Sequence, residues 1–328
     1  MSKLSKQSVK VWVLTDNKSG SNSQAIGVAK GLGIIFSEKV INYTSLHLLA
    51  PLSAPFSLIG VSQLSRMSLV PPWPDLVISA GQKTSYVARW IKRQSKSRVR
   101  LVHIMYPGRL GLEGFDLLCL PEHDKTRFIN NEQKIIKFLG APSVIDEDVL
   151  RHERNVWKDN FDSLPRPFIA LLIGGNRKSA LFNKKLVLDL TRRVSAVSKE
   201  LGGTILVSSS RRSGSFVERI LRETIPEPRH CFFWEIEKEN PYIAYLALAD
   251  YIIVTGDSIS MCSEACATTT PVYIYELPDE RSQKHSRFHE KLYDQGYARP
   301  FEDKLESWKH NSLKPVNIIC DAIHDLFF

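Results

Sequence analysis

The segment Val254-Thr255-Gly256-Asp257-Ser258-Ile259-Ser260-Met261-Cys262-Ser263-Glu264-Ala265 holds the residue types that phosphate and ribose recognition require. An apolar run leads into a turn at Gly256, and Ser258 or Asp257 stands where a helix cap is expected. The first N–H groups of a helix lack partners within it and carry the positive end of its dipole, so they favour a phosphate. Glu264 follows about two turns into that helix, and a carboxylate there can accept both hydroxyls of a ribose. The bland alternative is a capped helix with a surface glutamate.

Two further loops follow apolar runs. Gly174-Gly175-Asn176, with Arg177 and Lys178 behind it, allows close backbone approach and adds positive charge. It is neither a Walker A loop nor G-x-G-x-x-G. Ser208-Ser209-Ser210-Arg211-Arg212-Ser213 offers hydroxyls and, in Arg211, a guanidinium for a phosphate; it reads equally as a polar loop with Ser213 as a cap. For proton transfer, Asp16 in the loop Thr15–Gln24 is a candidate general base, although such an aspartate more often orders its own loop. His123, within Glu122-His123-Asp124, is a candidate proton shuttle, set against an ordinary exposed histidine. His285 and His289 share helical spacing beside Glu290 without an evident third metal ligand, so a polar helix face is the preferred reading and no metal is expected.

These residues need a scaffold that brings strand ends together. The pattern predicts strands at Val11–Thr15, Lys39–Asn42, Asp75–Ser79, Arg100–Met105 and Phe115–Leu120, with helices over residues 24–35 and 80–91. A second series follows: strands at Phe168–Ile173, Thr204–Ser208, Cys231–Trp234, Tyr251–Val254 and Val272–Tyr275, separated by helices at Lys184–Glu200, Ser213–Thr224, Pro241–Ala249 and Ile259–Ala267. Strand–helix alternation with continuously apolar strands implies parallel sheets covered on both faces. The expected fold class is α/β, with two Rossmann-like doubly wound domains facing a cleft. Residues 1–150 form the first domain and 165–328 the second, with the last helix packing back on the first. The charged stretch between Val149 and Pro167 reads as the linker.

Charge and composition restrict the partners. The 328 residues carry a net charge of +9. Residues 1–150 hold 19 Lys/Arg against 11 Asp/Glu, and residues 151–328 hold 25 against 24. A basic first half implies an anionic partner. Lys83–Arg100 holds seven basic residues and no acidic one, with Arg89, Lys92, Arg93 and Lys96 at helical spacing. That pattern suits an anionic membrane surface or glycolipid acceptor, or else an ordinary solvated face. The uncharged region Val40–Ser65 would form a neighbouring apolar patch. Aromatic residues interleaved with the basic run are nearly absent, so no nucleic acid is expected. The five scattered cysteines read as reduced thiols of a cytoplasmic protein, peripheral on the inner membrane if the basic face is used. No apolar run is long enough to span a bilayer.

Taken with the two-domain pattern, Thr255-Gly256-Asp257-Ser258…Glu264 resembles the GT-B glycosyltransferase architecture. More narrowly, the chain is similar to the mitochondrial fission ELM family, which has many bacterial members. The matching stretches include Trp12-Val13-Leu14-Thr15-Asp16, Pro74-Asp75-Leu76-Val77-Ile78-Ser79-Ala80-Gly81, Pro121-Glu122-His123-Asp124, Gly140-Ala141-Pro142, Leu172-Ile173-Gly174-Gly175-Asn176 and Ser286-Arg287-Phe288-His289. The resemblance implies a nucleotide diphosphate sugar as substrate, held mainly on the second domain without a cofactor. Carried over by position, Glu264 binds ribose, Gly256, Ser258, Ile259 and Ser260 bind the diphosphate, and Trp234 lies near the base. The expected activity is metal-independent glycosyl transfer to a membrane-associated acceptor. The alternative, implied by plant members, is a non-catalytic adaptor that recruits a dynamin-related protein. An epimerase is disfavoured, because neither G-x-G-x-x-G nor Tyr-x-x-x-Lys is present.

Overall fold

The computed structural model describes residues 9–49, 56–109, 112–124, 134–175, 182–234, 239–277 and 283–328. The chain divides into two compact units: one takes in the described residues up to Val144 together with Lys314–Phe328, the other runs from Ile145 to Leu313. Each is built on a six-stranded sheet whose recorded pairings are all parallel.

In the first unit the elements are β1 (Val11–Thr15), α1 (Ser19–Gly31), β2 (Phe36–Val40), a 3-10 turn at Ser45–Leu49 and α2 (Gln63–Met67). They continue as β3 (Leu76–Ala80), α3 (Gln82–Gln94), β4 (Arg100–Ile104), β5 (Leu117–Pro121) and β6 (Ile135–Phe138). The sheet order is β2-β1-β3-β4-β5-β6. Strands β1, β3, β4 and β5 are buried at every position, which explains their mostly apolar sequences; Arg100 and His103 make β4 the exception. Edge strands have less to bury. β2 alternates between half-buried and exposed residues and begins at Phe36, three residues before the expected Lys39. β6 is only four residues long with Lys137 exposed, and it is not among the expected strands.

The C-terminal helix α10 (Pro315–Phe327) belongs to this unit. Its Ile319, Ile323 and Phe327 join Ala25 and Val28 of α1 over one face of the sheet. The two helices approach closely at Gly31, where a Cβ would stand 2.4 Å from Val316 Cγ1. Val87, Ala88 and Ile91 of α3 cover the opposite face.

The second unit opens with α4 (Glu147–Phe161), capped by Asp146, whose carboxylate accepts the Val149 N–H at 2.8 Å. The stretch expected to be a linker is therefore largely helix. Its high charge masks it as a linker, although Leu150, Trp157 and Phe161 follow helical spacing; Phe161 is its one buried residue, set edge-on to Phe168, His230 and Tyr245. The series continues with β7 (Phe168–Leu172), α5 (Lys184–Leu201), β8 (Thr204–Ser208), α6 (Gly214–Thr224) and β9 (Arg229–Phe232). Then come α7 (Tyr242–Leu248), β10 (Tyr251–Thr255), α8 (Ile259–Cys266), β11 (Val272–Tyr275), α9 (Gln283–Asp294) and β12 (Arg299–Pro300). The sheet order is β12-β11-β10-β7-β8-β9.

The docked last helix has a measurable consequence. Ile323 is fully buried, so Ile323→Ala should cost about 2–5 kcal/mol of first-unit stability. Hydrogen exchange of β1 and β3 peptides should accelerate while β7 and β10 keep their protection. Equal acceleration in both sheets, or in neither, contradicts this assignment of α10.

Candidate functional site

Open parallel sheets bind ligands where neighbouring strands send their chains in opposite directions. In the second unit that point lies between β7 and β10, which pair in register from Tyr251↔Ile169 to Val254↔Leu172. The chain leaves β7 toward β8 on one side, and β10 toward β11 on the other. The loops after β7 and β10 are the two glycine-containing segments singled out from sequence.

A buried carboxylate joins them. Asp257 is 1% exposed. Its Oδ2 accepts the Gly175 N–H at 2.8 Å and its Oδ1 accepts the Thr255 hydroxyl at 2.7 Å. Thr255 Oγ1 in turn accepts the Gly174 N–H at 2.8 Å. The Arg212 guanidinium stands 3.5 Å from Asp257 Oδ2 and balances its charge. Both glycines are required by this approach: a Cβ on Gly174 would lie 2.2 Å from the Asp257 carboxylate, and one on Gly175 2.2 Å from the Arg212 backbone. The Gly174 carbonyl accepts the hydroxyls of Ser210 and Ser213, the latter at 2.5 Å. Ser213 therefore fastens two loops together instead of capping α6, whose first turn has no side-chain cap.

The cap expected at Ser258 or Asp257 is Ser258, whose Oγ accepts the Met261 N–H at 3.4 Å. Ile259 and Ser260 stand at the first two positions of α8, where helical N–H groups lack intrahelical partners. Behind the turn, Gly256 packs against His289, and the His289 Nε2–H donates to the Gly256 carbonyl at 3.0 Å. His285 and His289 are thus buried side chains of α9 rather than a solvated polar face.

Glu264 lies on α8, where its Oε2 accepts the Tyr242 hydroxyl of α7 at 2.6 Å. It keeps intermediate surface exposure, yet protein fills the volume around it. That desolvation raises its carboxyl pKa to about 7, opposed by the Tyr242 hydrogen bond. Burial, followed by the neighbouring Glu264 charge, raises the Tyr242 phenol well above its usual range and keeps it a donor.

Other expected positions are distributed as follows. Arg211 is exposed, and it is Arg212 that reaches the buried carboxylate. Trp234 follows β9 at 46% exposure, its N–H donating to Ser209 Oγ at 3.0 Å. Ser209 donates to the buried Glu218 at 2.5 Å, which fixes the start of that aromatic segment. Asn176 lies outside the described residues. In the first unit, Asp16 follows β1 beside the β1/β3 switch point. It orders its loop: Oδ1 accepts the Lys18 N–H at 2.7 Å, and Asn22 bridges to the Asp16 backbone N–H and carbonyl at 2.9 and 2.6 Å. His123 is buried rather than exposed.

The basic helix face is smaller than its spacing implied. Lys96 lies beyond α3 with a left-handed φ of 54°, and Lys92 is paired with Asp116 at 2.7 Å. Arg89 is half-buried, whereas Arg93 is exposed over the ring of Phe56 at 4.3 Å. Sequence reasoning also missed Arg212, Tyr242 and His289 as site components. Each reaches the loops from a separate element, so spacing alone carries no signal for them.

The family model of mitochondrial fission ELM1 matches residues 19–327, and the chain belongs to that family. An uncharacterised protein of Rickettsia prowazekii is 28% identical over 94% of each chain. The mitochondrial fission protein ELM1 of Arabidopsis thaliana is 29% identical over 80% of this chain, which spans 65% of the plant protein's length. Among solved structures, the UDP-GlcNAc 2-epimerase of Methanocaldococcus jannaschii superposes with a TM-score of 0.61 at 13% identity, covering 97% of this chain and 99% of that one. The fold is accordingly GT-B-like, with two Rossmann-like doubly wound domains. An epimerase, disfavoured on motifs, shares this fold.

The Asp257 network yields a graded prediction. Asp257→Ala strands the Gly175 N–H and the Thr255 hydroxyl, at about 1–3 kcal/mol for each buried unpaired group. Asp257→Asn keeps an acceptor oxygen and should cost less. Urea unfolding of the two variants checks this order; equal losses would mean that charge, not hydrogen bonding, holds the loops.

Proposed function

We propose that the second unit binds a nucleotide diphosphate sugar at the β7/β10 switch point, and that the protein transfers the sugar to a membrane-associated acceptor. The observation that carries this reading is Glu264, a desolvated carboxyl on the helix whose Ser258-capped N-terminus follows β10. The Ile259 and Ser260 N–H groups and the positive end of α8 meet the diphosphate, with Gly256 allowing the tight turn. The exposed Arg211 adds positive charge beside them, Arg212 being balanced by Asp257. Ionised Glu264 accepts the ribose hydroxyls, and the base stacks near Trp234. As the sugar–phosphate bond breaks, charge grows on the departing diphosphate, and these prepaid dipoles stabilise it without a metal. Gly174 and Gly175 contribute by letting Asp257 and the Arg212 backbone close the site. Asp16 is the assigned acceptor-side base; His123, at 2% exposure against 8% for Asp16, is the more deeply enclosed and the weaker choice. The family's fold, shared with an enzyme named for UDP-GlcNAc, supports a nucleotide-sugar ligand.

The alternative is an adaptor that retains the fold and recruits a protein partner. The plant relative's fission name favours it, as does the engagement of the Gly175 N–H by Asp257.

A thermal-shift series with UDP, GDP, ADP, CMP and their sugars separates the two. At about 100-fold above Kd, a bound nucleotide adds roughly 2.7 kcal/mol of apparent stability. A selective response that Glu264→Ala abolishes supports the transferase reading; a flat response from folded protein favours the adaptor. Turnover should then fall in Asp16→Asn with nucleotide binding intact.

The same carboxyl predicts a pH dependence. Its pKa is raised, so below about 7 the free protein holds the proton. Accepting two hydroxyls requires the ionised form, so affinity should fall about tenfold per pH unit below that point. Constant affinity between pH 6 and 8 removes Glu264 from the ribose site.

A further inference from the structure

The excursion between β2 and β3 is built like a surface meant to be covered. Residues 40–65 contain no Lys, Arg, Asp or Glu. Its inner side is fixed: Ile41, Val61 and Leu69 are buried against Trp12 and Leu14 of β1. Tyr43 bridges to Val61, the Thr44 N–H donates to the Gly60 carbonyl at 2.8 Å, and Arg66 donates to the Val61 and Leu58 carbonyls at 2.9 and 3.0 Å. A Cβ on Gly60 would stand 2.3 Å from the His47 Cα, so the two arms touch.

Its outer side carries large apolar side chains among uncharged polar ones and Arg66. Leu48 is 76% exposed, Phe56 66%, Leu64 78% and Met67 67%, with Leu46 and Val70 more than half exposed. Leu64 and Met67 share a face of α2. After Val70, the large exposed hydrophobics among the described residues are scattered singly: Val156, Leu188, Leu201, Phe216, Trp234 and Ile318. Such a concentration marks an interaction surface.

Its electrostatic setting selects the occupant. Between residues 39 and 112 the sequence holds ten Lys or Arg and one acidic residue, Asp75. The Asp75 carboxylate accepts the Lys10 N–H at 2.8 Å. Arg93 lies over Phe56 at 4.3 Å, Lys83 over Tyr43 at 5.1 Å, and exposed Arg66 sits between Leu64 and Met67 on α2. Long apolar side chains interspersed with cations that outnumber the carboxylates suit acyl chains beneath anionic headgroups.

We propose that the 3-10 turn at Ser45–Leu49, Phe56 and α2 form a seat for an anionic lipid bilayer, with Leu48, Phe56, Leu64 and Met67 entering the headgroup–acyl boundary and Arg66 and Arg93 pairing with lipid phosphates. This gives the membrane-associated acceptor of the proposed reaction a docking surface, and it rests on that reading for its role but not for its test. The test is co-sedimentation of the full chain, without nucleotide, with phosphatidylcholine vesicles that contain or lack phosphatidylglycerol. Wild type should bind the anionic vesicles and lose binding as salt rises. The double variant Leu64→Ser/Met67→Ser should lose binding by about tenfold or more. Arg93→Glu, which leaves the apolar residues in place, should weaken only the anionic component. Melting temperatures and nucleotide-induced shifts of all variants should match wild type, so failure of the seat and failure of the nucleotide site are read separately. Wild-type protein that ignores vesicles, binds both kinds equally, or binds anionic vesicles undiminished in all variants overturns the proposal; capture of an acidic protein without vesicle binding does so as well.

Discussion

A carboxylate removed from water must be repaid by hydrogen bonds or a counter-charge, and Asp257 is where this protein meets that demand. Its two oxygens receive the Gly175 N–H and the Thr255 hydroxyl, and Arg212 balances the charge from the loop after β8. The ends of three strands are thereby tied to one side chain. Loops over a parallel sheet are usually its most mobile parts. Here Ser210 and Ser213 also hold the Gly174 carbonyl, so the donors of α8 start from a fixed frame.

That frame explains the division of labour between two kinds of glycine-containing turn. At Gly174 and Gly175 the missing side chains make room for protein, namely a carboxylate and a backbone. The Gly175 N–H is already engaged, so it adds little to anion binding. At α8 the helix starts immediately after the buried turn, capped by Ser258, and the N–H groups of its first positions have no partner within the helix. Glu264 and Tyr242 then form a polar pair in a desolvated setting, where one hydrogen bond has more effect than it would in water.

The first unit uses the same sheet architecture toward a different end. Its interior is covered by α1 and α10 on one face and α3 on the other, while the excursion after β2 keeps large apolar side chains outside. Buried anchors and backbone hydrogen bonds hold the described residues of that excursion in shape, so their exposure is not a failure to pack. Its positive setting arises from a scarcity of carboxylates as much as from an excess of cations, since Lys92 is neutralised by Asp116 and Arg89 is half-buried.

The sequence by itself determined the strand–helix alternation, the buried central strands and the glycine turns at strand ends, because parallel strands covered on both faces leave an unbroken apolar record. It also placed Ser258 and Glu264 on one helix, since both lie in one short segment after the glycine turn. The edge strand β2 and the helix α4 were less legible, because an element that buries little can carry polar and charged residues, and β6 is only four residues long. Only the tertiary structure decided that Asp257 turns inward to Gly175, that Arg212 rather than Arg211 faces it, and that Tyr242 and His289 complete the surroundings. Those choices depend on side chains from different elements converging on one buried charge, and the spacing of residues along a chain does not encode such convergence.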